Sequence, residues 1–243
     1  MALVLLVRHG LTAGTGKVLA GRTPGIPLDD RGREQARALA ARLVSVPLAA
    51  IVTSPLERCQ QTAEAIAAAR DGHPVAVQVD ERVAEVGYGD WTGKPLKRLA
   101  KDPLWRVVQW HPSAVRFPGP DGESMAGMQD RAVGAVRDWN SRLGPRAVYL
   151  ICSHGDVIKS VIADSLGLHL DMSQRIHVEP ASLTVIRYTP FRPFLLRMND
   201  TGGGVSSLAG ADPAAARRPD ARPAVVREAG SEGDAVIGGG AGG

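Results

Sequence analysis

Six short apolar or β-branched runs, residues 3–8, 50–53, 75–79, 147–153, 183–188 and 194–198, alternate with longer stretches of helical periodicity. Most of these runs lack the strict in-and-out alternation of a strand with one wet face, and so read as strands buried on both sides. Between them, Ala36, Leu39, Ala40 and Leu43 form the i, i+3, i+4, i+7 stripe of an amphipathic helix. Leu56, Cys59, Ala63 and Ile66 form a second stripe, and Met125, Met128, Ala132, Val136 and Trp139 a third. Strand and helix alternating in this order predict an α/β fold: a three-layer sandwich with a mostly parallel central sheet flanked by helices. In such a sheet ligands bind outside the carboxyl ends of the strands, so the chemistry is expected there.

The pattern stops near residue 199. Residues 200–243 turn to Gly, Ala, Pro, Ser and Arg, a composition that cannot repay its ordering entropy. The expected organisation is therefore a catalytic domain over residues 1–199 and a Gly/Ala/Pro-rich disordered tail over 200–243, with a peptide docking segment around Val225 and Val226 as the alternative for the tail. The tail holds four Arg and six acids. Of the chain's net charge of +4, the body thus carries +6 and the tail −2. Aromatics make up only 4% of the chain, against a reading in which stacked bases supply the binding. The basic residues are dispersed, which suits steering of small anions better than a nucleic-acid stripe. No apolar run approaches the length of a membrane span, and no secretory leader opens the sequence. Two cysteines, Cys59 and Cys152, cannot build a disulfide scaffold or a four-thiolate zinc site, and both lie on core-facing positions. A cytoplasmic protein without membrane or nucleic-acid partners is expected.

Three strand ends carry the chemistry. The first strand terminates in Arg8, His9 and Gly10, placing a guanidinium and an imidazole where the backbone can approach a ligand closely. The second runs into Ser54, Pro55, Leu56, Glu57 and Arg58, which reads as an N-cap, a proline at the first helical position and a capping-box glutamate, with Arg58 in the first turn. A helix N-terminus beside an arginine fork favours phosphate. The fourth run, 147–153, leads through Ser153 into His154, Gly155 and Asp156, repeating the layout of the first. Two Arg and two His gathered at neighbouring strand ends can surround a tetrahedral dianion, one imidazole attacking phosphorus while the other groups spread the transition-state charge.

With these residues in place, the sequence resembles the histidine phosphatase superfamily, the phosphoglycerate-mutase-like proteins, whose signature is Arg, His, Gly directly after the first strand. Residues 28–36 resemble that family's turn and first helix, 54–62 its second arginine segment, and Ser153, His154 and Gly155 its second histidine segment. Glu85, Gly89, Trp91 and Gly93 fall at the spacing of its acidic loop, and Gly122, Glu123 and Ser124 resemble a further loop before a helix. The resemblance implies that His9 is the nucleophile of a phosphohistidine intermediate and that Arg8, Arg58 and His154 hold the phosphoryl group. It also implies that Glu85 protonates the leaving alcohol. A glutamate must then be held protonated by burial. No metal and no cofactor is expected, because the arginines and a cationic histidine supply the charge neutralisation.

Other readings stand beside these. Glu81 competes for the acid role, although Glu85 fits the spacing better, and Asp156 reads as the N-cap of the helix after His154. Neither cysteine opens a Cys-(five residues)-Arg phosphatase loop. Residues 102–121 concentrate Trp105, Trp110, His111 and Phe117, as a substrate-side lid or a packing flap. Thr15, Arg22, Trp110 and His111 are candidate substrate-side residues, and His73, His169 and His177 read as surface or structural groups. In the resembling mutases an asparagine lies six residues after the histidine and an arginine follows the acid; here Thr15 and Val86 stand there. The expected function is thus a phosphomonoester phosphatase, the alternatives being a phosphoglycerate-type phosphomutase or a binding protein for a phosphorylated ligand. The expected partner is a small phosphomonoester, and a homodimer is compatible with every reading.

Overall fold

The computed structural model describes residues 2–70 and 74–202. The expectations for the tail, for Val225 and Val226, and for His73 lie outside these residues.

Six strands form one sheet: β1 (Ala2–Arg8), β2 (Ala50–Thr53), β3 (Val77–Val79), β4 (Val148–Ser153), β5 (Leu183–Tyr188) and β6 (Pro193–Asp200). Their order is β3-β2-β4-β1-β5-β6. The first four are mutually parallel, β5 runs antiparallel to β1, and β6 runs antiparallel to β5. Each parallel connection passes through helix, as a parallel crossover requires. The helices are α1 (Asp30–Leu43), α2 (Glu57–Ala68), α3 (Leu96–Leu99), α4 (Pro103–Trp110), α5 (Met125–Leu143) and α6 (Gly155–Ser165).

The central strands explain the continuous apolar runs. On β1, Leu5 and Val7 point into a core shared with Leu39, Leu43, Cys59 and Ile66 of α1 and α2. Val4 and Leu6 point the other way, into a core with Met128, Val136, Ile158 and Ile162 of α5 and α6. Helices on both faces of a mostly parallel sheet make the three expected layers.

Register decides where the site forms. Arg8 pairs with Ser153, and Thr53 with Cys152, so β1, β4 and β2 end level and side by side. The loops and helices that leave these three ends are therefore neighbours. The loop after β1 is pressed onto the start of α1, where a Cβ on Gly10 would sit 2.6 Å from the Gly32 carbonyl oxygen and one on Gly32 would collide with the Leu11 carbonyl. Asp29 caps α1, its carboxylate accepting from the Gly32 amide at 2.7 Å.

Two local readings are corrected. The helix after β2 starts at Glu57 with Leu56 as its N-cap, so Ser54 does not cap it. Likewise His154, and not Asp156, is the N-cap residue of α6; Asp156 lies within the first turn with its side chain buried. In both cases the polar side chain is drawn into the site by a stronger partner than a helix amide.

Candidate active site

Arg8, His9, Arg58, Glu85 and His154, gathered from four separate stretches of chain, meet at the carboxyl edge of the sheet, and all five are buried. His9 and His154 lie edge-on to each other with ring centroids 5.2 Å apart. Arg58 joins them: its Nε lies 3.2 Å from His9 Nε2, and one Nη lies 3.3 Å from His154 Nδ1 and donates to the Gly21 carbonyl at 2.8 Å. Arg8 is fixed by donation to the Val178 carbonyl at 2.7 Å. Burial lowers its pKa to about 10, which leaves it a cation at neutral pH.

The tautomer of His9 follows from its partners. Its Nδ1 lies 2.7 Å from the Gly10 carbonyl, which can only accept, so Nδ1 carries the proton and the Nε2 lone pair faces Arg58. Burial, and then the charges of Arg58 and Arg8, hold this imidazole well below its ordinary pKa. Burial, and then the charges of Arg58, His9 and Arg8, hold His154 likewise well below its ordinary pKa, so the expected cationic histidine is not what the fold provides. The His154 Nε2 meets the Ser54 hydroxyl at 2.7 Å, which is the use the fold makes of Ser54.

Glu85 approaches this group, with one carboxylate oxygen 3.8 Å from His154 Nδ1. Burial first, and then the negative charge of Asp156, raise its pKa from 4.5 to about 7, against the opposing pull of Arg58, the Val86 amide and Arg8. Glu81, its competitor, lies exposed in a short 3-10 turn.

Of the residues that set Glu85 in place, sequence reasoning did not single out Arg131, noted Glu123 only as part of a family-like loop, and put Arg22 on the substrate side. Arg131 of α5 donates to the carbonyls of Arg82, Ala84 and Glu85, and grips both carboxylate oxygens of Glu123 at 2.6 and 2.9 Å. Glu123 in turn accepts from the Gly87 amide at 3.1 Å, and Arg22 donates to both the Glu85 carbonyl and Glu123. The loop around Gly122, Glu123 and Ser124 is thus a clamp on the acidic loop. Behind Glu85, the Tyr88 hydroxyl donates to Asp156 at 2.7 Å, and Lys159 lies 3.5 Å from Asp156, one turn along α6. The spacing of Asp156 and Lys159 signals an i, i+3 pair, but nothing local shows that it is buried.

Arg8, His9, Arg58, Glu85 and Tyr88 line a small cavity together with a loop that includes Thr12, Thr15, Val18 and Leu19. Of the expected substrate-side residues, Thr15 lines the cavity. Arg22 faces the clamp instead. Trp110 and His111 lie elsewhere, exposed along a groove with Pro103 and Arg106. Within the 102–121 segment Phe117 packs inward, its ring edge-on to Tyr88 at 4.9 Å and to Trp91 at 5.5 Å. His169 and His177 are surface groups beside Asp171 and Glu179.

A neutral imidazole with an unprotonated Nε2, two buried guanidiniums and a carboxyl whose pKa is raised to about 7 in one cavity form the equipment for phosphoryl transfer to histidine. Comparison with known proteins agrees. The profile of the histidine phosphatase superfamily (branch 1) matches residues 4–201. The chain belongs to that superfamily, and it is an enzyme of the histidine-phosphatase type. It is 34% identical over 177 residues to a glucosyl-3-phosphoglycerate phosphatase of Mycolicibacterium vanbaalenii, covering 69% of this chain and 76% of that protein. It is 30% identical over 187 residues to a 2,3-bisphosphoglycerate-dependent phosphoglycerate mutase of Gloeobacter violaceus, covering 74% and 82%. Among solved structures, Bacillus stearothermophilus YhfR aligns with a TM-score of 0.71 at 29% identity, over 82% of this chain and 98% of that one. Among the described residues no helix is long and apolar enough to cross a membrane.

Proposed function

We propose that residues 1–199 form the catalytic domain of a metal-independent phosphomonoester phosphatase, with His9 as nucleophile and Glu85 as proton donor. The observation that carries this reading is the pairing of the His9 Nε2 lone pair, fixed by donation of Nδ1–H to Gly10, with a Glu85 carboxyl kept protonated by burial.

In this mechanism a phosphomonoester dianion lies against the guanidiniums of Arg8 and Arg58. His154 accepts from Arg58 and so orients it. His9 Nε2 forms a bond to phosphorus while the bond from phosphorus to the ester oxygen breaks, and Glu85 gives its proton to the departing alkoxide. The positive charge that appears on the imidazole is met by the Gly10 carbonyl. Glu85, now a carboxylate, then takes a proton from the water that attacks phosphohistidine, which returns His9 and Glu85 to their starting states and releases inorganic phosphate. The arginines carry the charge of the transition state throughout.

A mutase would pass the phosphoryl group to a second substrate hydroxyl instead of water, and the similarity to a phosphoglycerate mutase favours keeping that reading. Against it, Val86 is a buried aliphatic residue and the Thr15 hydroxyl is engaged by the Thr12 amide and hydroxyl, so neither position offers a cation to a second acidic substrate. The test is phosphate release from a panel of phosphomonoesters in EDTA, beside conversion of 3-phosphoglycerate to 2-phosphoglycerate primed with bisphosphoglycerate. Release without conversion is expected, and conversion without release would establish the mutase.

A further inference from the structure

The cavity lining is of two chemical kinds. Arg8, Arg58, His9 and Glu85 supply charge and proton-transfer groups. Thr12, Thr15, Val18, Leu19 and Leu96 form a wall of hydroxyls and aliphatic carbon. This wall is held in place by its backbone. Thr15 donates to the Thr12 carbonyl at 3.0 Å and Val18 to Gly14 at 3.0 Å, Leu19 donates to Lys94 at 3.0 Å, Gly93 donates back to Leu19 at 2.8 Å, and Leu96 donates to Lys17 at 2.9 Å. Residues 12–19 and 93–96 are thus laced together, and the wall is preformed.

The geometry points to a substrate whose alcohol portion is an uncharged polyol or sugar, and not a phosphorylated carboxylic acid. This rests on the phosphomonoester reading above. Among the described residues that line the cavity, the cations are Arg8 and Arg58, and a phosphomonoester dianion matches both. The two imidazoles are held neutral and add no positive charge. Arg22, the next guanidinium along the chain, is committed to the Glu85 carbonyl and Glu123. Lys17 and Lys97 are exposed and do not line the cavity, and solvated lysines bind a carboxylate only weakly. A carboxylate pressed against Val18, Leu19 and Leu96 would lose water and gain no counter-charge. Hydroxyl groups have partners there: the Thr12 and Thr15 hydroxyls, 2.9 Å apart, share one hydrogen bond and Thr15 also accepts from the Thr12 amide, which leaves one O–H to donate and at least one lone pair on Thr12 to accept.

The test compares sn-glycerol 3-phosphate with 3-phosphoglycerate, which differ by a hydroxymethyl group in place of a carboxylate. Binding to the His9→Ala protein is measured by calorimetry, so that affinity is read without turnover. Glycerol 3-phosphate is expected to bind at least about tenfold more tightly, and Val18→Arg in the same background should shrink or invert that ratio. Equal or tighter binding of 3-phosphoglycerate overturns the inference, as does failure of glycerol 3-phosphate to bind at millimolar concentration. Hydrolysis by the wild-type protein is scored separately. The expected binding ratio without phosphate release from either ester would sink the phosphatase reading and leave the preference of the cavity intact. Hydrolysis of both esters with the binding ratio reversed would do the opposite.

Discussion

Replacing Glu85 by Gln should abolish turnover and yet stabilise the protein, by an amount that depends on pH. Glu85 is buried, and its pKa stands at about 7 in the folded chain against an ordinary 4.5. A carboxyl raised in this way favours the folded state fully below the unfolded pKa, and that favour is lost as pH rises through the folded pKa, because the unfolded chain releases its proton first. Between pH 5 and pH 8 the linkage relation makes the cost of carrying Glu85 grow by about 2.5 kcal/mol. Glutamine has the same shape and no proton to lose, so E85Q escapes this cost. Urea denaturation of wild type and variant at both pH values reads the effect directly. The variant's stability relative to wild type should rise by about 2.5 kcal/mol from pH 5 to pH 8. A difference that does not change with pH would refute the claim that the fold holds Glu85 protonated, and with it the assignment of Glu85 as the acid.

Asp156→Asn should move the basic limb of the pH profile of kcat to lower pH, since the Asp156 charge is the second cause, after burial, of the raised Glu85 pKa; a limb that stays in place contradicts the coupling. Ser54→Ala deprives the buried His154 Nε2 of its 2.7 Å partner. It should cost about 1–3 kcal/mol in a denaturant titration together with a fall in kcat, and a variant as stable and active as wild type would show that Ser54 does not hold His154. Gly32→Ala drives a methyl group into the Leu11 carbonyl, so that residues 10–12 must shift. A destabilisation of about 1–3 kcal/mol with lowered kcat is expected, and a neutral result would mean that the loop after β1 does not depend on this contact.

The layered fold was legible because β1, β2 and β4 are buried on both faces and the intervening helices carry clean stripes. Both signals are local and periodic. The convergence of Arg8, His9, Arg58 and His154 was legible for a related reason, since a parallel sheet brings successive strand ends to one edge. What escaped was set by tertiary partners. Ser54 reads as an N-cap, but a buried imidazole 2.7 Å away takes its hydroxyl. Asp156 reads as a cap for the same reason, and Tyr88 and Lys159 draw it inward instead. The clamp of Arg131 and Glu123 spans loops far apart in sequence, and periodicity carries no trace of it. Trp110 and His111 attracted notice as scarce aromatic groups, yet α4 packs through Val108 with Leu104, Trp105 and Val107, and Trp110 remains in solvent.

The central claim is that His9 carries the phosphoryl group between ester and water. Reaction of the wild-type protein with a hydrolysed phosphomonoester, quenched into alkali within the first turnover and mapped by mass spectrometry, tests it most directly. The account predicts phosphate on His9 Nε2 that appears and decays at rates compatible with turnover, and is missing from the His9→Ala protein along with phosphate release. Phosphate found on another residue, or phosphate release that survives in His9→Ala, would contradict it.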